Sequence, residues 1–329
     1  MSFTTILTPL IAGASALLAL WAPAVAQTFP DRPIHVIVPF APGGPVDVLA
    51  RALGEGFRER TGQTFIVENK PGANTSIAAS ACKRADPDGY TICFLTASTV
   101  SINPFLYVDL SYDPVKDLAP VTNVVTAQQL LLVNKSVPAR TFTELAAYSR
   151  ANPNKLNYGS FGVGGDSHLV IEWMKAKADA KMTHVPFGGA APALVAFDGG
   201  DIQVLYLVAT PPIVEKVKSG QANGMLVSGK KRNPNLPQVP SFLEAGLPVQ
   251  EFETWFGMFA PSRTPKVLIE KISNELSAVI KSEAFDNKYL RSGGYVGVGD
   301  TPGEFAAFLV DDRRRAEDLV KVSGVKVTQ

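Results

Sequence analysis

The feature that most constrains the fold is a β-branched apolar run that turns through two glycines into a helical pattern. The run ends near Pro39, Gly43 and Gly44 form the turn, and apolar residues then recur at helical spacing from Val46 to Phe57. A strand that enters a helix through glycines leaves backbone N–H groups bare, and the helix N-terminus adds partial positive charge. The segment therefore predicts either a βα unit that binds an anion or an ordinary βα turn.

A second turn of the same kind follows much later in the chain. Residues 156–160 predict a strand, Gly162, Gly164 and Gly165 form the turn, and a helical pattern restarts at Ser167. If the two turns belong to different lobes, they face each other across a cleft.

Strands and helices alternate along the chain, which predicts mostly parallel sheets covered by helices on both faces. A length of 329 residues favours two domains. Because no flexible linker is present, we expect interwoven lobes joined by strands that cross near residues 125 and 253. Lobe 1 would comprise residues 27–124 and 254–329, and lobe 2 residues 125–253. Strands are predicted at 34–39, 64–69, 91–95, 130–133, 156–160, 183–186, 202–208, 224–228 and 253–260, and helices at 46–60, 75–84, 167–177, 190–197, 211–219 and after the caps Thr141, Ser241, Thr264 and Thr301.

The first thirty residues carry no charged side chain and contain an apolar run from Ile11 to Trp21. Residues 24–26 fit an A-x-A cleavage site, so residues 1–26 are predicted to be a secretory signal peptide, with the mature chain starting at Gln27. The alternative is an uncleaved membrane anchor, for which the run is short. Export of this type predicts a periplasmic protein of a Gram-negative cell.

Composition narrows the choice of partners. Lys and Arg number 31 against 30 Asp and Glu, a formal net charge of +1, which argues against nucleic acid or an anionic membrane surface as the main partner. The two cysteines, Cys82 and Cys93, either form a disulfide in the exported chain or are buried as small apolar residues. No His or Cys pair has metal-ligand spacing, so neither a metal nor a cofactor is expected.

Signatures of catalysis are weak. No nucleophile elbow is present, and a P-loop-like segment has Lys231 where Ser or Thr must bind magnesium. His168 and His184 have no nucleophile nearby in sequence, and positioned or core histidines are the simpler interpretation. Asp47 is expected to accept hydrogen bonds from its own loop or to stabilise its helix start. Export, two lobes and two anion-binding turns therefore indicate a solute-binding protein that traps its ligand by hinge closure.

Ordered sequence blocks along nearly the whole mature chain resemble the Bug-type periplasmic solute receptors of tripartite tricarboxylate transporters. The resemblance implies a Venus-flytrap fold (type II periplasmic-binding-protein), that is, α/β with two doubly wound lobes around a ligand cleft. It implies a small organic carboxylate as ligand, transporter membrane subunits or a sensor kinase ectodomain as partners, and a monomer. The blocks lie at residues 29–34, 38–47, 67–73, 86–90, 103–107, 112–117, 184–187, 237–240, 244–246 and 260–265.

The resemblance also implies where the ligand binds. Backbone amides and waters of the first and fifth βα loops, here residues 40–47 and 160–168, would hold the carboxylate, and loops 72–76, 96–101 and 187–191 would complete the cleft. The predicted ligand-binding residues are Phe40, Pro42, Gly43, Gly44, Asp47, Ala73, Thr96, Ser98, Ser160, Gly162, Gly164, Gly165, Asp166, His168, Phe187 and Gly188.

Three positions depart from the family pattern. Gly188 stands where a lysine is usual, Asp166 where Thr or Ser is usual, and Pro45 stiffens the first loop. A lost lysine and an added carboxylate make the cleft less cationic. We therefore expect a monocarboxylate, a zwitterion or an aromatic acid rather than a tricarboxylate. The competing interpretation is that Asp166 points to solvent or caps its own helix.

Two functions follow from this sequence. The first is a periplasmic receptor that captures a small carboxylate and delivers it to a membrane transporter or a sensor. The second is an exported enzyme on the same scaffold, in which His168 and Asp166 act on a bound acid. A receptor releases its ligand unchanged, whereas an enzyme releases an altered one.

Overall fold

A computed structural model describes residues 29–247 and 254–327, and the predicted signal peptide lies outside them. The described chain forms two mixed sheets with helices on their faces, which confirms the predicted two-lobed α/β class. The strands are β1 (Ile34–Val38), β2 (Phe65–Asn69), β3 (Thr91–Thr96), β4 (Leu118–Ala127), β5 (Gln129–Asn134), β6 (Asn157–Ser160), β7 (Thr183–Pro186), β8 (Val204–Val208), β9 (Ala222–Val227), β10 (Thr254–Pro261) and β11 (Tyr295–Gly297).

Each sheet combines parallel βα units with antiparallel strands near the crossing between lobes. The lobe 1 sheet has the order β11-β4-β10-β3-β1-β2, and the lobe 2 sheet has the order β7-β6-β8-β5-β9. In lobe 1, β1 is parallel to β2 and β3, while β10 is antiparallel to β3 and β4. In lobe 2, β6 is parallel to β7 and β8, while β5 is antiparallel to β8 and β9.

The helices cover both faces of each sheet. None of those in the described ranges is both long and apolar enough to cross a membrane. They are α1 (Pro45–Thr61), α2 (Ser76–Arg84), α3 (Asn103–Leu106), α4 (Phe142–Ala151), α5 (Asp166–Ala178), α6 (Ala190–Gly199), α7 (Pro211–Lys218), α8 (Lys266–Ile280), α9 (Glu283–Phe285), α10 (Arg291–Gly293) and α11 (Pro302–Ser323).

Within the described residues, two elements connect the lobes, and the crossing predicted near residue 253 lies outside them. Gln128 alone separates β4 of lobe 1 from β5 of lobe 2. The last helix, α11, packs on both lobes: Phe305 and Leu309 join an apolar cluster of lobe 1, whereas Ala316 and Leu319 join the main cluster of lobe 2.

The predicted capping signals at two helices are confirmed. Thr301 accepts a hydrogen bond from the Glu304 N–H, and the Glu304 carboxylate accepts from the Thr301 N–H, which completes a capping box at α11. At α4, Thr141 accepts from the Glu144 N–H in the same way.

The capping prediction at α8 was wrong. Pro265, rather than Thr264, is the N-cap of α8, and the buried Thr264 hydroxyl has no hydrogen-bond partner in the described residues. The capping box at Ser241 forms as predicted, since the Glu244 N–H donates to Ser241 Oγ and the Ser241 N–H donates to the Glu244 carboxylate. The segment from Ser241 nevertheless forms hydrogen-bonded turns instead of the predicted helix. Its first residue bridges to Val227 at the end of β9, and Gly246 adopts a φ of 69°, so the chain leaves the helical path after about one turn.

Of the two possibilities for the cysteines, the structure shows the disulfide. Cys82 of α2 and Cys93 of β3 are bonded with an S–S distance of 2.07 Å, and both side chains are buried. The bridge ties α2 to the sheet of lobe 1 beside the loops that follow β2 and β3.

Candidate functional site

The strand ends that carry the glycine loops lie at the edges where the lobes meet. In lobe 1, Thr254 at the start of β10 pairs with Ala127 at the end of β4, and the end of β3 pairs with β10 close by. Because β1 is parallel to β3, its carboxyl end reaches the same edge. In lobe 2, Gln129 at the start of β5 pairs with Val208 at the end of β8, and β6 runs parallel to β8. The loops after β1, β3, β6 and β8 therefore converge on the crossing.

The first glycine loop is held in shape by Asp47. The Gly43 N–H donates to Asp47 Oδ2 over 2.9 Å, which confirms that Asp47 accepts a hydrogen bond from its own loop. Arg51 donates to both carboxylate oxygens, at 3.0 and 2.9 Å. Asn69 donates to Asp47 Oδ1 at 3.0 Å and to the Phe40 carbonyl at 2.9 Å, joining both ends of the loop.

The electrostatics of this loop favour an ionised Asp47. Burial raises the pKa of Asp47, but hydrogen bonds from Arg51, Gly43 and Asn69 outweigh it and hold that pKa below its usual value. The carboxylate is 3% exposed, and both of its oxygens are occupied by protein donors. Asp47 therefore shapes the loop.

The N-terminus of α1 is left with bare amides. Gly44 is the N-cap, has extended backbone angles and makes no side-chain cap, and Pro45 follows as the first helical residue. The N–H groups of Gly44, Val46 and Asp47 have no intrahelical acceptor at this end of a helix. Gly43 has a φ of 83° and, like Pro42, is exposed. This end of α1 is thus open to an anion.

The second glycine loop, which is also predicted to bind an anion, differs from the first in its internal hydrogen bonds. Most of its amides already donate within the loop, because hydroxyl, imidazole, carboxylate and carbonyl acceptors fold back onto them. The pairs are Phe161 N to Ser167 Oγ, Gly162 N to Ser160 Oγ, Gly164 N to His168 Nδ1, Gly165 N to the Gly162 carbonyl and Ser167 N to Asp166 Oδ1. In the described chain the Val163 amide has no such acceptor, and its side chain is exposed.

Ser160 and His168 face the interior of lobe 2. The fully buried Ser160 Oγ lies 2.6 Å from His184 Nε2 and 3.1 Å from the Gly162 carbonyl. His168 stacks on His184, and His184 stacks on Tyr158. Burial and the neighbouring His184 lower the pKa of His168 to about 4. The ring is therefore neutral, with Nδ1 accepting from the Gly164 N–H, and it positions the loop.

Asp166 faces the crossing between the lobes. Its Oδ1 accepts from the Ser167 N–H at 2.8 Å, and its Oδ2 accepts from Gln129 Nε2 at 3.1 Å and Thr254 Oγ1 at 3.4 Å. Burial raises the pKa of this carboxyl, and those hydrogen bonds oppose the shift. Asp166 is the first residue of α5, whose N-cap Gly165 has no side-chain cap, and its buried carboxylate contacts the adjacent Ser167 N–H and both crossing strands.

The loop before α2 brings lobe 1 into contact with the second glycine loop. Ala73, Asn74 and Thr75 all have positive φ values, a conformation that costs energy outside glycine. Asn74 is held by reciprocal bonds with Asn103, each at 2.8 Å. A Cβ at Gly164 would lie 3.6 Å from Asn74 Nδ2, so the two lobes approach closely here.

The remaining predicted residues lie around the same region with different exposures. Thr96 is buried and its hydroxyl contacts Thr99, whereas the buried Ser98 has no side-chain hydrogen bond among the described residues. Phe187 packs on an apolar cluster of lobe 2, and Gly188 is exposed with open space around its Cβ position. Gly188 is thus accessible to a ligand, whereas Ser98 and Thr96 are buried.

Sequence reasoning missed the residues that act through long-range contacts. Asn69, Arg51, Asn103, Gln129 and Thr254 hold the loops but carry no local signal of that role. Asn69 and Asn103 lie within blocks that resemble the family, which is the hint the sequence offers. Among residues 29–247 and 254–327, no group of three or more His, Cys, Asp or Glu side chains is placed to hold a metal ion.

Two α/β lobes, a bare helix N-terminus at their meeting edge and the crossing from β4 to β5 are typical of two-lobed periplasmic solute-binding proteins. The comparisons place the chain within that class. The family model described as "Tripartite tricarboxylate transporter family receptor" matches residues 49–325, and the chain belongs to this family.

Relatives and solved structures agree with this assignment. The Protein BugT of Bordetella pertussis is 28% identical over 307 residues, covering 93% of this chain and 94% of BugT. An R. palustris protein solved with adipate is 30% identical with a TM-score of 0.83, covering 91% of this chain and 99% of that one. MatC from Rhodopseudomonas palustris with bound malate is 30% identical with a TM-score of 0.81, covering 89% and 100%. The predicted Bug-type resemblance is confirmed.

Proposed function

We propose that the protein is an exported periplasmic receptor that captures one small organic carboxylate between its lobes. It delivers this solute to the membrane subunits of a tripartite carrier. The observation that carries the proposal is the bare N-terminus of α1, where Gly44, Val46 and Asp47 present amides without an internal acceptor. The predicted signal peptide, residues 1–26, would bring the mature chain to the periplasm.

The proposed ligand follows from the charges near this helix end. Arg51, the cation nearest in sequence, is bonded to Asp47. Residues 40–47, 160–168 and 187–191 contain no Lys or Arg. Backbone amides would therefore neutralise a single carboxylate group, and a tricarboxylate would lack partners for its further charges. Two similar structures contain adipate and malate, so dicarboxylates belong in the test beside monocarboxylates and zwitterions.

The alternative of an exported enzyme is less well supported. His168 would be its base, but the low pKa of this ring and its hydrogen bond from the Gly164 N–H leave it a weak proton acceptor. Both oxygens of Asp166 are occupied by neighbouring donors. A receptor is therefore the function that the site supports best.

A thermal-shift and calorimetry screen tests the proposal. The panel contains propionate, benzoate, malate, adipate, aspartate and citrate, with glucose as the uncharged control. A ligand at a hundred times its dissociation constant adds about 2.7 kcal/mol of stability, which gives a measurable melting shift. Recovery of the ligand unchanged after incubation separates a receptor from an enzyme. A shift with glucose and none with any carboxylate would overturn the proposal.

A matched pair of variants locates the carboxylate. The backbone angles of Gly44, φ −76° and ψ 168°, suit proline, and a Cβ there meets only the Ala41 carbonyl oxygen at 3.6 Å. Gly44→Pro removes one amide donor from the site, whereas Gly44→Ala keeps it. We expect the proline variant to lose carboxylate affinity and the alanine variant to retain it. Equal affinities would place the carboxylate elsewhere.

A further inference from the structure

A second groove lies between the lobes, away from the glycine loops. It has a volume of about 960 Å³ and opens beside the edge strands β11 of lobe 1 and β9 of lobe 2. In the sheet orders, these two strands lie on one side of the β4–β5 crossing, whereas β1 and β6 lie on the other. No residue of the loops at 40–47, 160–168 or 187–191 lines it. The groove therefore contains none of the predicted ligand-binding residues, although it shares the loop after β8 with the crossing.

The groove combines an apolar floor with basic walls. Ala209, Val214 and Tyr295 are buried along it, and Val296 is 65% exposed. A single lining residue, Glu215, is acidic. The basic lining residues are Lys218, Lys230, Lys231, Arg232 and Arg291. Because the whole chain has a formal net charge of only +1, this is a local concentration of positive charge.

Two of these cations are available to a partner. In the part of the chain that the structure describes, Lys218 and Lys231 form no ion pair with a carboxylate. Arg232 is bonded to Glu244 and Arg291 to Asp286, and both pairs lie on the exposed surface. Exposed pairs of this kind are weak and exchange partners at little cost.

The shape of the groove depends on how the lobes sit relative to each other. Its walls come from both lobes, with Arg291 to Val296 on one side and Lys230 to Asn235 on the other. Next to it, the lobes meet backbone to backbone, since a Cβ at Gly294 would lie 2.7 Å from the Ala209 carbonyl oxygen. A rotation of one lobe would therefore change the distance between the two basic walls.

We propose that this groove is the surface that docks an acidic segment of the membrane partner, with apolar residues on the floor and carboxylates against the lysines. The inference rests on the proposed receptor function, because a receptor must transfer its solute to a membrane subunit. Charge complementarity across such a surface sets the association rate and the choice of partner. Since both lobes form the groove, the partner recognises the lobe arrangement that the ligand stabilises.

Fluorescence anisotropy with a labelled dodecapeptide of glutamate and leucine tests the docking surface. The variant Lys218→Glu/Lys231→Glu reverses both available cations. The control, Lys135→Glu/Lys155→Glu, makes the same change in net charge at exposed lysines that do not line the groove. We expect the groove variant to bind the peptide at least about tenfold more weakly than the wild type and the control to bind like the wild type. Lys218→Gln/Lys231→Gln gives a milder loss if the reversal disturbs folding.

Three results would overturn the proposal. The first is that the control variant loses as much peptide affinity as the groove variant, and the second is that the wild type does not bind the peptide. The third is that peptide affinity stays the same when the most stabilising carboxylate of the panel is added. The carboxylate melting shift of each variant is measured in parallel and is expected to match the wild type. A groove variant that loses this shift would show that the groove belongs to the ligand cleft. A wild type without any carboxylate shift contradicts the receptor function itself, which separates the two failures.

Discussion

The imidazole rings of His168 and His184 stack face to face, with centroids 3.8 Å apart and an interplanar angle of 9°. Burial lowers the pKa of both rings, and repulsion at this distance further opposes protonation of both together. His168 Nδ1 receives the Gly164 N–H, and His184 Nε2 lies beside the Ser160 hydroxyl. The two rings therefore hold the second glycine loop in place through Gly164 and Ser160.

This pair predicts a loss of stability in mild acid. The folded-state pKa of His168 is lowered from 6.5 to about 4, so the unfolded chain binds more protons between these values and stability falls as the pH falls through this window. The contribution of His168 has an upper limit of about 3 kcal/mol. The variant His168→Asn keeps an acceptor for the Gly164 N–H but does not titrate. Urea unfolding from pH 7 to pH 4 should show a flatter profile for this variant, and parallel profiles would contradict the prediction.

The Asp47 carboxylate predicts an effect on ligand affinity through the shape of the first loop. Asp47→Ala removes the acceptor of the Gly43 N–H and leaves Arg51 and Asn69 without their partner, at a cost of roughly 1–3 kcal/mol per unsatisfied bond. Arg51→Ala is the control, because it leaves the Gly43 bond in place. Calorimetry should show weaker carboxylate binding for Asp47→Ala than for Arg51→Ala. Equal affinities in the two variants would mean that the Gly43 bond has no role in binding.

The two lobes approach closely at Gly294, so we predict that adding one methyl group there pushes the lobes apart. Gly294→Ala would place a Cβ 2.7 Å from the Ala209 carbonyl oxygen, at a φ of 72°. Gly220→Ala is a matched control, since Gly220 has the same φ of 72° but open space around its Cβ position. We expect both variants to lose about 1 kcal/mol of stability through backbone strain. Only Gly294→Ala should also weaken carboxylate binding and increase the radius of gyration in small-angle scattering with ligand present. Identical behaviour of the two variants would show that the contact does not limit closure.

Local patterns in the sequence predicted the elements well. The β-branched run before Gly43, the glycines before α5 and the capping box at Thr301 each depend on residues within one or two turns of the chain. The error at α8 has a local cause as well, because Thr264 and Pro265 compete for the cap and proline stands one position too early to be the first helical residue.

The chemistry of the second glycine loop could not be predicted in this way. Its spacing matches that of the first loop, yet His168, Ser167 and Asp166 turn their acceptors back onto the loop amides. That outcome depends on the packing of His168 against His184 on a neighbouring strand, which no local pattern encodes. The partners of Asp47 were similarly hidden, since Asn69 comes from the adjacent strand.

Asp166 gives the sharpest contrast between the sequence hypothesis and the structure. The less cationic cleft expected from the sequence implies that Asp166 repels a second ligand carboxylate, and on this repulsion hypothesis Asp166→Thr favours dicarboxylates. In the structure its Oδ2 instead accepts hydrogen bonds from Gln129 and Thr254. Gln129 begins β5 of lobe 2, and Thr254 begins β10 of lobe 1. A group in this position acts on the relative placement of the lobes, and its effect should not depend on the charge of the ligand.

We therefore predict that Asp166→Thr weakens the binding of succinate and aspartate by the same factor. Loss of the two shared hydrogen bonds removes about 1–3 kcal/mol from the lobe arrangement that binds either ligand. Asp166→Asn is the control, because its amide oxygen can still accept from Gln129 without the negative charge. Calorimetry with both ligands on both variants decides the matter. If Asp166→Thr strengthens succinate binding while weakening aspartate binding, the carboxylate faces the ligand after all, and the repulsion hypothesis is correct.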